Sequence, residues 1–247
     1  MSAPPAKTAA IVFGVGPVAG IGGATAIRLA RAGLPVYVAG RRPEKMTDVV
    51  KAITDADGTA IAVEADATEP ADVGAVFERV AADGRVPELV VFNVGGNWPQ
   101  DFMSMTPDVL ETMWRQGPLA GMLVGQGALR AMLPAGKGTI IYTGASASLR
   151  GRPMFAPFAS AKAGLRAIAQ SMAREFGPQG IHVAHVVIDG VVDGERVRGF
   201  LPGFIEGKGA DAALDPAAVA ETYWMLHGQP RSAWTHELEL RPFAETW

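Results

Sequence analysis

Two groups of residues in this chain have types and spacings that suggest chemistry. The first is Gly14-Val15-Gly16-Pro17-Val18-Ala19-Gly20-Ile21-Gly22, which follows the apolar run Thr8 to Phe13 and leads directly into a helix-forming stretch. Glycines between a strand and a helix permit a tight turn, let backbone approach a pyrophosphate and let the two elements pack closely, while the helix N-terminus favours the phosphate charge. Gly14, Gly16, Val18, Gly20 and Ile21 are the candidate contacts. A dinucleotide fold commonly places an acid about 20 residues further on for the ribose 2′-hydroxyl. This chain has Gly40-Arg41-Arg42 there. Two guanidinium groups attract a 2′-phosphate and grip it with paired hydrogen bonds, so Arg41 and Arg42 predict NADP(H) in preference to NAD(H). The second group is Phe158-Ala159-Ser160-Ala161-Lys162, where a lysine in a helical stretch follows, by four residues, an aromatic with no hydroxyl to give or take a proton.

The elements that must position these residues alternate along the whole chain. Strands are expected at Thr8 to Phe13, Val36 to Ala39, Thr59 to Glu64, Glu88 to Phe92, Thr139 to Thr143 and Ile181 to Ile188. Helices are expected at Ile21 to Ala32, from Pro43, at Ala71 to Ala82 and at Phe155 to Phe176. A long helical region from Pro107 to Leu133 is broken near Gly117-Pro118, because proline cannot continue the hydrogen-bond ladder. Strands apolar on both faces, alternating with amphipathic helices, indicate an α/β fold with a parallel sheet covered on both sides. The expected organisation is a disordered tail over residues 1–7 and a single domain over 8–247, with the glycine-rich stretch 190–209 as a lid.

Composition narrows the function. The 247 residues are 49% hydrophobic and 19% charged, with a net charge of -3 spread along the chain, which predicts a small-molecule partner and neither nucleic acid nor an anionic membrane. There is no cysteine, so thiol nucleophiles, disulfides and cysteine-bound metals are excluded. His182, His185, His227 and His236 do not recur at metal-site spacing, and no metal is expected. The start lacks the apolar segment of a signal peptide and no run is long enough to span a bilayer, so a cytoplasmic protein is expected.

Further residues fall into register with these. Asp66 and Ala67 follow the third strand, and Asn93-Val94-Gly95 follows the fourth. Together with Gly16-x-x-x-Gly20-x-Gly22 and Lys162, they make the chain resemble a short-chain dehydrogenase/reductase over nearly its whole length. The resemblance implies a single Rossmann-like, doubly wound domain in three layers with seven parallel strands, assembled as a homodimer or homotetramer. It implies that Asp66 meets the adenine ring, that Asn93 and Gly95 border the cofactor, that Lys162 binds the nicotinamide ribose, and that backbone around Val191 holds the carboxamide.

The same resemblance exposes a departure. In the family a Tyr exchanges a proton with the substrate oxygen, a Ser orients that oxygen, a Lys lowers the Tyr pKa and an Asn supports a water relay. Here Phe158 stands at the Tyr position, Ala145 at the Ser position with Ser146 beside it, and Pro118 at the Asn position; Lys162 alone remains. Losing a positioned acid removes roughly 10²- to 10⁴-fold of rate, and losing an oxyanion donor a similar amount. The family's Pro-Gly is replaced by Ile188-Asp189, followed by Gly190-Val191-Val192-Asp193. Asp189 and Asp193 either bring a carboxylate to the nicotinamide or cap the next helix. Ser146 is the nearest substitute acid, Tyr142 is expected to point away, and His185 reads as a core or edge residue.

Three functions are consistent with this pattern: an NADP(H)-dependent oxidoreductase with an atypical site acting on a carbonyl- or imine-like small molecule; a nucleotide-binding protein without turnover, as a sensor or inactive subunit; and a non-redox enzyme in the same pocket.

Overall fold

The computed structural model describes residues 7–245. The expected tail therefore lies outside the described residues except for Lys7, which opens the first strand. The chain runs β1 (Lys7–Phe13), α1 (Ile21–Arg31), β2 (Val36–Gly40), α2 (Pro43–Thr54), β3 (Ala60–Glu64), α3 (Pro70–Ala82), β4 (Arg85–Phe92), α4 (Pro107–Trp114), α5 (Ala120–Met132), β5 (Gly138–Thr143), α6 (Ala156–Phe176), β6 (Ile181–Ile188), α7 (Glu195–Phe200), α8 (Phe204–Lys208), α9 (Pro216–His227) and β7 (Glu237–Leu240). All seven strands are parallel, in the order β3-β2-β1-β4-β5-β6-β7.

That order explains where a site must lie. The chain winds outward from β1 to β3, then returns to place β4 on the other side of β1. Connections leaving β1 and β4 therefore diverge above their carboxyl ends and leave a crevice, the position at which doubly wound sheets bind ligands. The strands inside the sheet are buried on both faces because each face carries its own core, while the edge strands β3 and β7 are partly exposed. One centres on Phe13, Phe92, Tyr142, Leu165 and Met132, the other on Val12, Val38, Leu89, Ile141 and Tyr223.

Local sequence sets the ends of the helices. Prolines open α2, α3, α4 and α9, where the missing N–H has no intrahelical partner to lose. The Asp215 carboxylate accepts from the Ala217 N–H at 2.8 Å and caps α9. The expected break near Gly117-Pro118 takes the form of a π-helical stretch, Arg115–Leu119, between α4 and α5. The seventh strand escaped the sequence reading, being four residues long, partly exposed and rich in glutamate. No helix among the described residues is long and apolar enough to cross a membrane.

Candidate cofactor and active site

The glycine loop and the end of β4 form one unit. Gly14 has φ 80°, and a Cβ there would lie 2.5 Å from the Asn93 carbonyl oxygen. The Asn93 side-chain amide donates to the Gly14 carbonyl at 3.1 Å, and the Asn93 N–H to the Phe13 carbonyl at 3.0 Å. A Cβ on Gly22 would lie 2.7 Å from the Gly14 carbonyl oxygen, whereas one on Gly16 would meet open space. The loop is thus packed on its inner side and open on its outer side, as a phosphate cradle requires. Gly20 stands at the N-cap of α1 without a side-chain cap, so the helix presents backbone N–H groups together with its positive end. Val18 is exposed and Ile21 half-buried beside it. Gly14→Ala is expected to cost about 2 kcal/mol of stability, from a left-handed backbone and a clash with main chain that cannot step aside. Urea denaturation measures it, and a loss below about 0.5 kcal/mol would mean that the loop re-forms freely.

At the end of β2, Arg41 is 61% exposed in its side chain and stands 3.8 Å from Asp66. The Asp66 carboxylate accepts from the Thr68 N–H and hydroxyl, both at 2.9 Å, which orients it at the end of β3. Arg42 is exposed at the N-cap of α2. The Ala67 side chain packs in the core, leaving its backbone for contact.

Deeper in the crevice lies a small hollow of about 10 Å³ lined by Val94, Gly95, Gly96, Met113, Gln116, Gly117, Phe158, Ala161 and Lys162. The Phe158 ring forms part of its wall, and the Lys162 ammonium lies 5.9 Å from the ring centre. Lys162 is 7% exposed and donates to the Thr143 carbonyl at 2.8 Å. Burial lowers its pKa from 10.5 to about 8, because the charged form loses water that one carbonyl only partly replaces.

Neither Ala145 nor Ser146 lines this hollow. The Ser146 carbonyl closes a tight turn by accepting from Leu149 and Arg150, and the Ala145 N–H donates to the hydroxyl of buried Ser148 at 3.1 Å. Pro118 is turned away as well, with a Cβ on Gly164 of α6 falling 2.8 Å from its ring. The π-helical stretch puts Gln116 and Gly117 at the hollow instead, so the polar group on this wall is the Gln116 amide. Tyr142 donates to the Gly121 carbonyl at 3.0 Å in the core, away from the site as expected. His185 is fully buried, bonds through Nδ1 to Glu237 at 2.9 Å, and is pushed by burial down to about 4, a core histidine held neutral.

The two aspartates near Val191 are spoken for. Asp189 is buried and accepts from Arg150 at 2.9 Å and Arg241 at 2.5 Å. Asp193 accepts from Arg198 at 2.6 Å, and the N-cap of α7 is Gly194, so neither aspartate caps that helix. The Val191 carbonyl accepts from the Leu214 N–H at 2.7 Å and pins this loop to the start of α9's approach. Segment 190–209 contains the short helices α7 and α8, joined by Arg198, which also pairs with Glu206. It crosses the crevice: the Glu195 N–H donates to the Ala19 carbonyl at 3.0 Å on one side, and Arg196 to the Asn97 carbonyl at 3.0 Å on the other. The sequence reading missed Gln116, Ser148, Arg150 and Arg196. Only Gln116 carried a signal, its place beside the proline break; the others depend on partners far away in the chain.

The short chain dehydrogenase family model matches residues 9–199. Cis-4-hydroxycyclohexanecarboxylate dehydrogenase of Sinomonas cyclohexanicum is 32% identical over 198 residues, covering 78% of this chain and 77% of that protein. A crystal structure of a short-chain dehydrogenase from Rhodopseudomonas palustris is 39% identical, covers 97% of this chain and 100% of that one, and superposes with a TM-score of 0.82. Actinorhodin polyketide ketoreductase with NADPH shares the fold at 22% identity, with a TM-score of 0.86 and all of both chains covered. The crevice at the switch in strand order, the loop that Asn93 holds against it and the lysine beneath agree with these matches, and the chain belongs to the short-chain dehydrogenase family.

Proposed function

We propose that this protein is an NADP(H)-dependent oxidoreductase that transfers hydride at a carbonyl- or imine-like carbon of a small molecule without a tyrosine acid. The observation that carries this reading is the asymmetry of the site. The glycine loop, Asp66, Asn93 and Lys162 are kept and locally supported, while the wall that would protonate a substrate oxygen is the hydrocarbon ring of Phe158. When bound, the cofactor supplies or accepts the hydride.

Gly14 to Ile21 would hold the pyrophosphate, Asp66 the adenine side, Arg41 and Arg42 the 2′-phosphate, and Asn93, Gly95 and Lys162 the nicotinamide ribose. Val191 would meet the carboxamide through backbone. Lys162 holds a proton at neutral pH beside the hollow, since its pKa stays near 8. Phe158 excludes water from that wall without donating to it. Such a site suits a substrate carrying its own activation, an iminium carbon being one case, or one whose oxygen takes its proton from water. The Sinomonas relative is named for a dehydrogenase acting on a hydroxy compound, which is in keeping with alcohol and carbonyl chemistry. Self-association as a homodimer or homotetramer belongs to the same proposal.

Fluorescence titration with NADPH and NADH, followed by a substrate screen that includes imines, tests it. NADPH is expected to bind more tightly, and Arg41→Ala with Arg42→Ala to weaken NADPH about 10-fold or more while leaving NADH within a factor of about two. Failure of both nucleotides to bind would overturn the reading.

A further inference from the structure

The backbone turn Gly95-Gly96 lies between two cations. A Cβ on Gly95 would be 3.6 Å from the Lys162 ammonium, and one on Gly96 would be 3.3 Å from the guanidinium of Arg196. Gly95 has φ 140°. A Cβ on Gly95 would only touch Lys162, so glycine is needed there for its backbone angle, while one on Gly96 would crowd the guanidinium by a few tenths of an ångström.

Neither cation is neutralised. Lys162 donates to the Thr143 carbonyl and Arg196 to the Asn97 carbonyl, and among the described residues neither meets a carboxylate. The neighbouring arginines behave differently. Arg198, two residues after Arg196, is held by Asp193 and Glu206, and Arg150 is held by Asp189. Asp193, Glu206 and Asp189 are therefore already committed to other partners, and the exposed Glu195 next to Arg196 makes no ion pair with it. No acid lines the hollow, whose remaining walls are Met113, Phe158, Ala161, Val94 and the neutral amide of Gln116.

Two cations beside an apolar, acid-free hollow leave a local positive charge that an incoming anion would balance. We infer that the substrate carries a carboxylate on an apolar body, and that Arg196, reaching over Gly96 from the crossing segment, is the residue that recognises it. Arg196 sets specificity: its fork reaches the acid group at the mouth of the crevice, while the apolar body lies in the crevice against the outer edge of the wall that Phe158 and Met113 form. Ligand entry displaces the bond to Asn97, so the segment that closes the crevice also reads the ligand's charge. This rests on the oxidoreductase reading for the identity of the crevice, but its test does not need turnover.

Isothermal titration of the full-length protein with 4-methyl-2-oxopentanoate and with 4-methyl-2-pentanone, which differ in the carboxylate, tests it with and without saturating NADPH. The oxo acid is expected to bind at least about 10-fold more tightly than the ketone. Arg196→Gln should erase that preference and leave ketone binding and NADPH affinity within about twofold, whereas Arg198→Gln should retain the preference. Arg196 is exposed, so folding of the variant is checked directly by its melting temperature. Equal binding of the two probes overturns the inference, as does an Arg196→Gln variant that still prefers the acid. It also falls if Arg196→Gln lowers NADPH affinity instead, since the anion would then be the cofactor's phosphate. Acid-selective binding without NADPH affinity would uphold the carboxylate site while the redox reading failed.

Discussion

The double variant Ala145→Ser, Phe158→Tyr is expected to reduce simple ketones with NADPH about 10²-fold faster than the wild type. Phenylalanine and tyrosine share a ring volume, and the Phe158 ring already lines the hollow, so the added hydroxyl enters the site without repacking it. The Lys162 ammonium lies 5.9 Å from the ring centre, close enough to favour the phenolate and bring the new hydroxyl into the range of a useful acid. The serine change matters less, because Ala145 lies outside the hollow's lining and the neighbouring turn is closed by Ser148. Steady-state assays on small ketones with wild type, both single variants and the double variant separate the contributions. A wild type that already matches the double variant would show that the missing acid has a substitute in the native site.

Lys162→Met is expected to change how stability depends on pH. A fall in the Lys162 pKa from 10.5 to about 8 corresponds to about 3 kcal/mol by which the charged amine opposes folding at neutral pH. Between these two values the unfolded chain binds more protons than the folded one, so stability rises with pH there, and below pH 8 the full penalty stands. From pH 8 to pH 9.5 the wild type should gain about 2 kcal/mol from this residue, and the methionine variant should lack that gain. At pH 7 the variant should be the more stable by about 1–2 kcal/mol, since loss of the bond to the Thr143 carbonyl offsets part of the relief. Urea denaturation of both proteins at pH 7, 8 and 9.5 gives these differences. Parallel pH profiles would mean that water reaches the amine and that it is not desolvated. The same variant should bind NADPH at least about 10-fold more weakly, which would identify the strain at Lys162 as one retained for ligand binding.

Much of the positioning machinery could be read from local chemistry. The glycine loop, the helix starts at Pro43 and Pro107, the break at Gly117-Pro118 and the two-sided apolar strands depend on residues next to one another, and the structure places them as expected, whereas the openings at Pro70 and Pro216 were not anticipated. Boundaries moved by a residue or a few, most at β4, which begins at Arg85 because pairing with β1 extends it past its apolar part. The short strand β7 could not be seen, since a partly exposed glutamate-rich segment becomes a strand only through pairing with β6.

The site divides along the same line. Residue identity alone determined that position 158 has no hydroxyl, that two arginines follow β2 and that one lysine stands four residues beyond the ring, because these are facts of covalent chemistry. Tertiary structure alone decided how the charges are spent. It buried Asp189 between Arg150 and Arg241, 39 and 52 residues away, engaged Asp193 with Arg198, turned Pro118 away in favour of Gln116, and left Lys162 and Arg196, on either side of Gly95-Gly96, without a carboxylate partner among the described residues. Charge pairing acts through distance in space, and distance in space is set by strand order, which no local pattern of residues records.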